Sequence, residues 1–267
     1  MAFRVDPQWW VNGFEGAYLA LYDSVLTPAS SEAQVATIMS TFDLRPPARV
    51  LDAACGQGRH AIAFARRGFT VVGVDFSSRL LQVADERARA AGHGVRFVQA
   101  DMRELEFEEE FDLVVNLYTA FGFFEDESDH ERAVRAFVRA LRPGGRLVLE
   151  TINRDGQLRI LPPIGGSELP NGTVVLERHQ FDPYLGRLLT ERVLRCAGHE
   201  PQQHDTSLRL FAPEELVRLF KAACLRDVSL YDGFFPETHD YSQDAGLLGS
   251  LRPYTLDSTR MCITGRK

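Results

Sequence analysis

Residues 50–58 read Val-Leu-Asp-Ala-Ala-Cys-Gly-Gln-Gly, and Val71-Val72-Gly73-Val74-Asp75 follows one helix later. The pair spells a strand, a glycine turn, a helix and a second strand that ends in a carboxylate. The strands are continuous apolar runs, which need cover on both faces and so belong to a parallel sheet flanked by helices. The pattern predicts strands at 49–53, 70–75, 95–99, 111–117 and 146–152. Helices are predicted at 58–67, 77–91 and 129–141, the first two closed by Gly68 and Gly92 and the last stopped by Pro143-Gly144-Gly145. This alternation predicts a doubly wound α/β fold.

The flanks differ. Residues 1–45 hold Phe3, Trp9, Trp10, Phe14, Tyr18 and Tyr22 and a helix at 32–42, ended by Arg45-Pro46-Pro47; they are expected to form an N-terminal helical lid on a core at 46–267. Within 170–211, β segments at 173–181, 188–196 and 207–211 separated by Asp182-Pro183 and Gly198 predict an antiparallel insertion. A helix at 213–223 and strands at 227–231 and 259–265 complete the alternation, with a long loop at 232–256 between those strands.

The glycine turn restricts the ligand. Asp52 and Ala53 close the first strand at the crevice edge of the sheet, where open α/β folds bind ligands. Gly56 and Gly58 let the backbone approach a ligand, and the following helix aims free N–H groups at the same point. Asp75 is placed to accept from both ribose hydroxyls. Asp101 is placed to accept from an adenine amine, with Phe76 and Met102 as apolar walls. Ala61 keeps the G-x-G-x-x-G/A spacing of a dinucleotide site, so an NAD-dependent oxidoreductase stays open on spacing. Asp52, however, would repel a pyrophosphate and would accept from an ammonium. S-adenosyl-L-methionine, with an adenosine end and an amino-acid end, suits both.

Taken together, 50–60, Gly73-Val74-Asp75-Phe76-Ser77, Gln99-Ala100-Asp101-Met102, 111–116 and Leu141-Arg142-Pro143-Gly144-Gly145 resemble, in order, the motifs of class I S-adenosylmethionine-dependent methyltransferases. The stretches Phe-Gly-Phe-Phe-Glu-Asp after strand four and Leu-Glu-Thr-Ile-Asn-Arg after strand five resemble those of a bacterial small-molecule group. The resemblance implies a Rossmann-like, seven-stranded sheet with strand seven antiparallel between five and six. It implies that Gly56 and Gly58 lie along the methionine part, that Asp75 binds ribose and Asp101 adenine, that Asn116 and Leu117 line the sulfonium side, and that Tyr18 and Tyr22 are lid contacts. The expected product is S-adenosyl-L-homocysteine.

The acceptor is expected at the same sheet edge, among Tyr118, Phe121, Asn153, Tyr254 and Arg260, the last as an anion clamp. Histidines 179, 204 and 239 fall in the insertion or the long loop, where exposure to solvent is the expectation. The motif Asn116-Leu117-Tyr118-Thr119 lacks the Asn/Asp-Pro-Pro-aromatic signature of base methylation, and a net charge of −7 offers no footprint for a phosphate backbone. No stretch reaches the ~20 apolar residues of a membrane span. The dispersed cysteines 55, 196, 224 and 262 fit a reduced cytoplasm and no metal site. The expected partner is a small-molecule acceptor of methyl at O or N. A non-catalytic cofactor-binding regulatory module stays open as an alternative, and the insertion is also a surface for a homodimer.

Overall fold

The computed structural model describes residues 5–6, 8–14, 16–23, 26–234 and 251–267. Most of the long loop, 235–250, with His239, lies outside the described residues. Seven strands form the central sheet: β1 (Arg49–Ala53), β2 (Thr70–Asp75), β3 (Arg96–Gln99), β4 (Phe111–Asn116), β5 (Leu141–Ile152), β11 (Arg226–Asp232) and β12 (Arg260–Arg266). Their order is β11-β12-β5-β4-β1-β2-β3. Only β12 runs antiparallel to its neighbours. The order reverses between β1 and β4, and this is where an open α/β sheet leaves a crevice at its carboxyl edge.

Helix signals in the chain explain the covering layers. Thr27 Oγ1 caps α3 (Pro28–Phe42) through Ser30 N–H at 3.2 Å, and Pro28 occupies the first turn. Ser77 caps α5 (Ser78–Ala90) through Leu80 N–H. Val35 and Ile38 of α3 and Ala61 and Phe64 of α4 (Arg59–Arg66) pack on one face with Val50, Val71 and Val148. On the other face Ala133 and Phe137 of α6 (Glu127–Ala140) and Leu216 and Phe220 of α8 (Pro213–Ala222) pack on Leu51, Val114 and Ile263. Arg103 carries the β3–β4 connection onto α6 through Asp129.

Three elements depart from the sequence reading. Strand β5 begins at Leu141 rather than at 146, because Gly144 N–H donates to Lys267 O and Lys267 N–H to Gly145 O, and those bonds carry the Pro-Gly-Gly segment along as strand. Helix α7 (Arg154–Ile160) and strand β6 (Ile164–Glu168) stand where the sequence pattern predicts no element. In β6 the run Ile-Gly-Gly-Ser-Glu has no side-chain alternation to read; its backbone is held by the ladder to β7 (Val174–Asp182). With β8 (Arg187–Arg195), β9 (Gln202–Gln203) and β10 (Thr206–Arg209) these make a second, wholly antiparallel five-stranded sheet. Short helix α1 (Trp9–Asn12) docks on it through Trp9 Nε1, which donates to Ser207 O at 2.8 Å. A further turn of chain, α2 (Gly16–Tyr22), follows.

Gly73 shows how tightly the crevice strands are set. A Cβ there would stand 2.8 Å from the Phe97 ring and 3.0 Å from Cys55 Sγ. Gly73→Ala should cost about 1–3 kcal/mol through overpacking, read as a lowered urea midpoint at unchanged slope. A wild-type midpoint would mean that β2 and β3 separate more easily than this packing implies.

Candidate cofactor and acceptor site

A cavity of about 1040 Å3 opens over the carboxyl edge of the central sheet. Its floor is the turn after β1, the ends of β2 and β4 and the Ala100–Met102 stretch; its roof is the second sheet; α1 and α2 close one side. Ligand pockets run to roughly 300–1,000 Å3, so this one stands at the upper end of that range, reaching from the glycine turn to the second sheet.

The floor is built by backbone in the left-handed region. Ala54 (φ +59°), Gly56 (+55°) and Gly58 (+77°) turn the chain after β1. Asp75 holds that turn: one carboxylate oxygen accepts from Gly56 N–H at 2.7 Å and the other from Ser77 N–H at 2.9 Å. Burial raises the Asp75 pKa, partly opposed by the N–H groups of Ser77 and Gly56. The two glycines do different work. A Cβ at Gly56 would find nothing closer than Leu80 at 3.9 Å, so that position faces open cavity, whereas at Gly58 it would meet Ala84 at 2.8 Å and Phe97 at 3.0 Å. Gly58 is therefore a packing glycine and the left-handed cap of α4, and it is not among the described residues lining the cavity.

Next to this turn lie polar atoms without a partner among the described residues: Oε1 and Nε2 of Gln57, Nη2 of Arg59 and Oδ2 of Asp52. Gln57 and Arg59 line the cavity. Arg59 is held by Ser31 Oγ at 3.1 Å and Gln34 Oε1 at 2.8 Å, and burial lowers its pKa. Gln34 also meets His60 Nε2 at 2.7 Å, and burial keeps that imidazole neutral by lowering its pKa well below the usual value. Asp52 is 1% exposed and lies behind the turn; desolvation, with Asp75 nearby and Arg59 opposing, pushes its carboxyl up to about 7. Orphaned buried donors and acceptors cost about 1–3 kcal/mol each, and a zwitterionic amino-acid group supplies the complement: a carboxylate for Arg59 and an ammonium for Asp52. The residues therefore fit the methionine end of the cofactor. Gln57 and Arg59 sit inside the same 50–60 motif, but neither residue type has a spacing that marks it as a ligand contact, and only the unpartnered atoms of the fold do so.

At the other end Phe76, Asp101, Met102 and Trp10 line an apolar slot, with Trp10 edge-on to Phe76 at 5.1 Å. Asp101 keeps its carboxylate against Arg103, Nε lying 3.0 Å from both oxygens, and Arg103 in turn stacks on Phe124 at 4.5 Å. Leu117 lines the floor, while Asn116 and Ala53 sit under it, the amide donating to Ala53 O at 2.9 Å. Tyr18 and Tyr22 line the side wall, ring to ring at 4.8 Å, and Tyr22 meets Tyr118 at 5.8 Å. Burial raises the Tyr18 phenol pKa.

Of the acceptor residues, Tyr118 and Arg260 line the cavity, and Phe121, Asn153 and Tyr254 are not among the described residues that do. Phe121 is core, packed on Phe211 and His130. Asn153 caps α7 and donates to Tyr254 Oη at 3.0 Å and to Ser258 O, so that pair ties down the 254–258 segment. The guanidinium that the sequence offers to an acceptor anion is engaged: Arg260 forms an ion pair with fully buried Glu150 and donates to Thr119 Oγ1 at 2.7 Å. His179 and His204, expected in solvated loop, instead turn inward and line the roof; His204 is 5% exposed and burial depresses its pKa to about 4. Among the described residues no cluster of metal-ligand type occurs, and no helix is long and apolar enough to cross a membrane.

Two expectations follow. The Asp52 carboxyl titrates higher in the fold than in the unfolded chain, so its contribution favours the fold at low pH and is lost as pH rises through about 7. Asp52→Asn should therefore stabilise the ligand-free protein at about pH 8 relative to about pH 5, by up to about 3 kcal/mol, in paired urea titrations; a pH-independent difference would show that this carboxyl is solvated. Arg260→Met should destabilise by about 3–5 kcal/mol by leaving Glu150 buried without its cation, and adding Glu150→Gln should recover part of the loss. An Arg260→Met variant with wild-type stability would show that Glu150 is not held as a carboxylate.

Residues 50–145 match the methyltransferase domain family, over the same turn and strands that build the floor. The glycine/sarcosine N-methyltransferase of Halorhodospira halochloris is 37% identical over 116 residues, 43% of each chain. The ubiquinone biosynthesis O-methyltransferase of Klebsiella pneumoniae is 34% identical over 131 residues, 47% of this chain and 52% of that one. This chain thus spans about half the length of the curated relatives it matches. Among solved structures, S-adenosylmethionine-bound CalS10 of Micromonospora echinaspora, an amino pentose methyltransferase, superposes with a TM-score of 0.64 at 25% identity, over 94% of this chain and 97% of that one. Strand order, orphaned polar atoms at the glycine turn and the family match over that turn agree: residues 50–145 are a methyltransferase domain, and the chain around them is similar to class I S-adenosylmethionine-dependent methyltransferases.

Proposed function

We propose that this protein transfers a methyl group from S-adenosyl-L-methionine to an oxygen or nitrogen of a small-molecule acceptor in the cytoplasm. The observation that carries the reading is the set of orphaned polar atoms on Gln57, Arg59 and Asp52 beside an open Gly56. A dinucleotide would bring a pyrophosphate to a turn backed by Asp52, which repels it; an amino-acid end satisfies both signs of charge. A purely regulatory module has no use for the large second compartment under the antiparallel sheet, and that compartment favours turnover.

When bound, S-adenosylmethionine supplies a methyl group on a positively charged sulfur, open to in-line attack. The chain's work is placement and exclusion of water. Arg59 and Gln57 receive the carboxylate and Asp52 the ammonium. Asp75, already fixed by Gly56 and Ser77, keeps lone pairs for the ribose hydroxyls, and Asp101 keeps one for the adenine amine between Phe76, Met102 and Trp10. Tyr18, Tyr22 and Phe14 act as the lid on this compartment, and Leu117 with Tyr118 marks the boundary to the acceptor side. Arg260 acts as a positioning residue, holding Tyr118 and Thr119 through Glu150.

Calorimetric titration with S-adenosylhomocysteine tests the reading. Wild type should bind it and should not bind NADH; the reverse preference would establish the oxidoreductase. Asp75→Asn and Arg59→Met should each weaken S-adenosylhomocysteine by about tenfold or more, as expected for a lost hydrogen bond to a charged group.

A further inference from the structure

Helix α3 turns a mixed face toward the glycine turn. Ser31, Gln34, Val35 and Ile38 stand at i, i+3, i+4 and i+7 on one side of the helix, and all four are buried. Val35 and Ile38 belong to the core against the central sheet. Ser31 and Gln34, 1% and 2% exposed, are polar groups in the same stripe, where burial is costly unless their atoms are bonded. Their oxygens meet on one atom, Arg59 Nη1, at 3.1 and 2.8 Å.

The chemistry of these contacts has one solution. An arginine nitrogen only donates, so the Gln34 atom facing it is the carbonyl oxygen, and His60 Nε2, 2.7 Å from the same oxygen, carries a proton. Two donors on one oxygen hold the Gln34 amide against rotation. Ser31 spends its own proton on Thr27 O at 3.1 Å, which leaves its oxygen to accept. Nη1 has two protons, and these two acceptors take both. Tyr118 lies against the guanidinium, its ring centroid 5.1 Å from Cζ. Edge and face are thus fixed. Nη2, without a partner among the described residues, is the nitrogen left for the cavity that Arg59 lines.

We propose that Gln34, supported by Ser31, is a positioning residue for the methyl donor: it aims Arg59 so that Nη2 meets the carboxylate of the cofactor's amino-acid end. The inference rests on the methyltransferase reading and adds to the donor site a helix that lies outside residues 50–145. A long side chain gives up rotamer freedom when it takes an anion, and one already clamped gives up less. Donor binding is thereby tied to the seat of α3 on α4, which Arg67 reinforces by donating to Glu32 O at 3.0 Å.

Calorimetric titration with two ligands reads this role: S-adenosylhomocysteine, and methylthioadenosine, which keeps the nucleoside and lacks the carboxylate and ammonium. Gln34→Leu should weaken S-adenosylhomocysteine by about tenfold, as for a lost hydrogen bond to a charged group. It should leave methylthioadenosine binding unchanged, and that binding also shows that the variant is folded. Ser31→Ala should give the same split at about threefold, and it decides the matter if Gln34→Leu does not fold. In an Arg59→Met background Gln34→Leu should add no further loss, because it acts through that guanidinium. Equal weakening of both ligands, unchanged S-adenosylhomocysteine binding, or an additive loss in the double variant overturns the positioning role. Failure of wild type to bind either ligand overturns instead the methyltransferase reading beneath it.

Discussion

Glu150 is fully buried in β5, and its carboxylate is shared among three segments of chain. One oxygen accepts from Tyr118 N–H at 2.8 Å, at the exit of β4; both take the guanidinium of Arg260 from β12. The Glu150 carbonyl accepts from Thr119 N–H as well. A lone buried carboxylate is expensive, and this one is compensated only while β4, β5 and β12 are in register. The antiparallel strand β12, the cavity floor and the crevice between β4 and β1 therefore stand or fall together.

The same carboxylate explains an unusual stretch of backbone. Tyr118 and Thr119 both lie in the left-handed region, with φ of +58° and +59°. Each such residue costs of order 1 kcal/mol or more and persists where the surroundings over-determine it. The determinants are Glu150 on the Tyr118 and Thr119 amides and Arg260 on the Thr119 hydroxyl, with the Tyr118 ring between Arg59 at 5.1 Å and Arg260 at 5.3 Å. The strained turn places that ring on the cavity wall, edge-on to Tyr22. It mirrors the left-handed turn at Ala54 and Gly56 across the crevice, which Asp75 fixes in the same manner through a carboxylate on a backbone amide.

How far the sequence could be read follows from which groups act through local pattern. Strands β1 to β4 are continuous apolar runs, α4 to α6 between and after them carry caps or stop signals, and these elements stand in the structure within a residue or two of the sequence reading. Strand β6 was invisible because Gly165 and Gly166 carry no side chain to alternate. Asn153 and Tyr254 read as pocket residues because they close strands at the right edge; only the fold shows that they bond to each other and to Ser258. Arg260 reads as a free cation because its partner, Glu150, is 110 residues away in sequence. Gln57 and Arg59 were hidden among glycines, and their meaning lies in atoms that lack partners, which no spacing reports.

That contrast between committed and orphaned polar groups separates the two halves of the cavity. Arg103 with Asp101 and Arg260 with Glu150 are charge pairs already closed inside the protein, so they shape walls and add little net attraction for a ligand. On the floor Gln57 and Arg59 hold polar atoms without a partner among the described residues, with Asp52 buried behind them, and on the roof the β7–β8 ladder pairs Arg192 with Glu177 and His179 with Thr190. The floor's open set is built on a βα turn whose every left-handed residue is held, which suits a partner of one fixed shape. The roof is an antiparallel face in which cross-strand pairs can change without disturbing the central sheet. The floor's polar groups are thus tied to the folding of the core, while the roof's stand on a separate antiparallel sheet held by its own ladder.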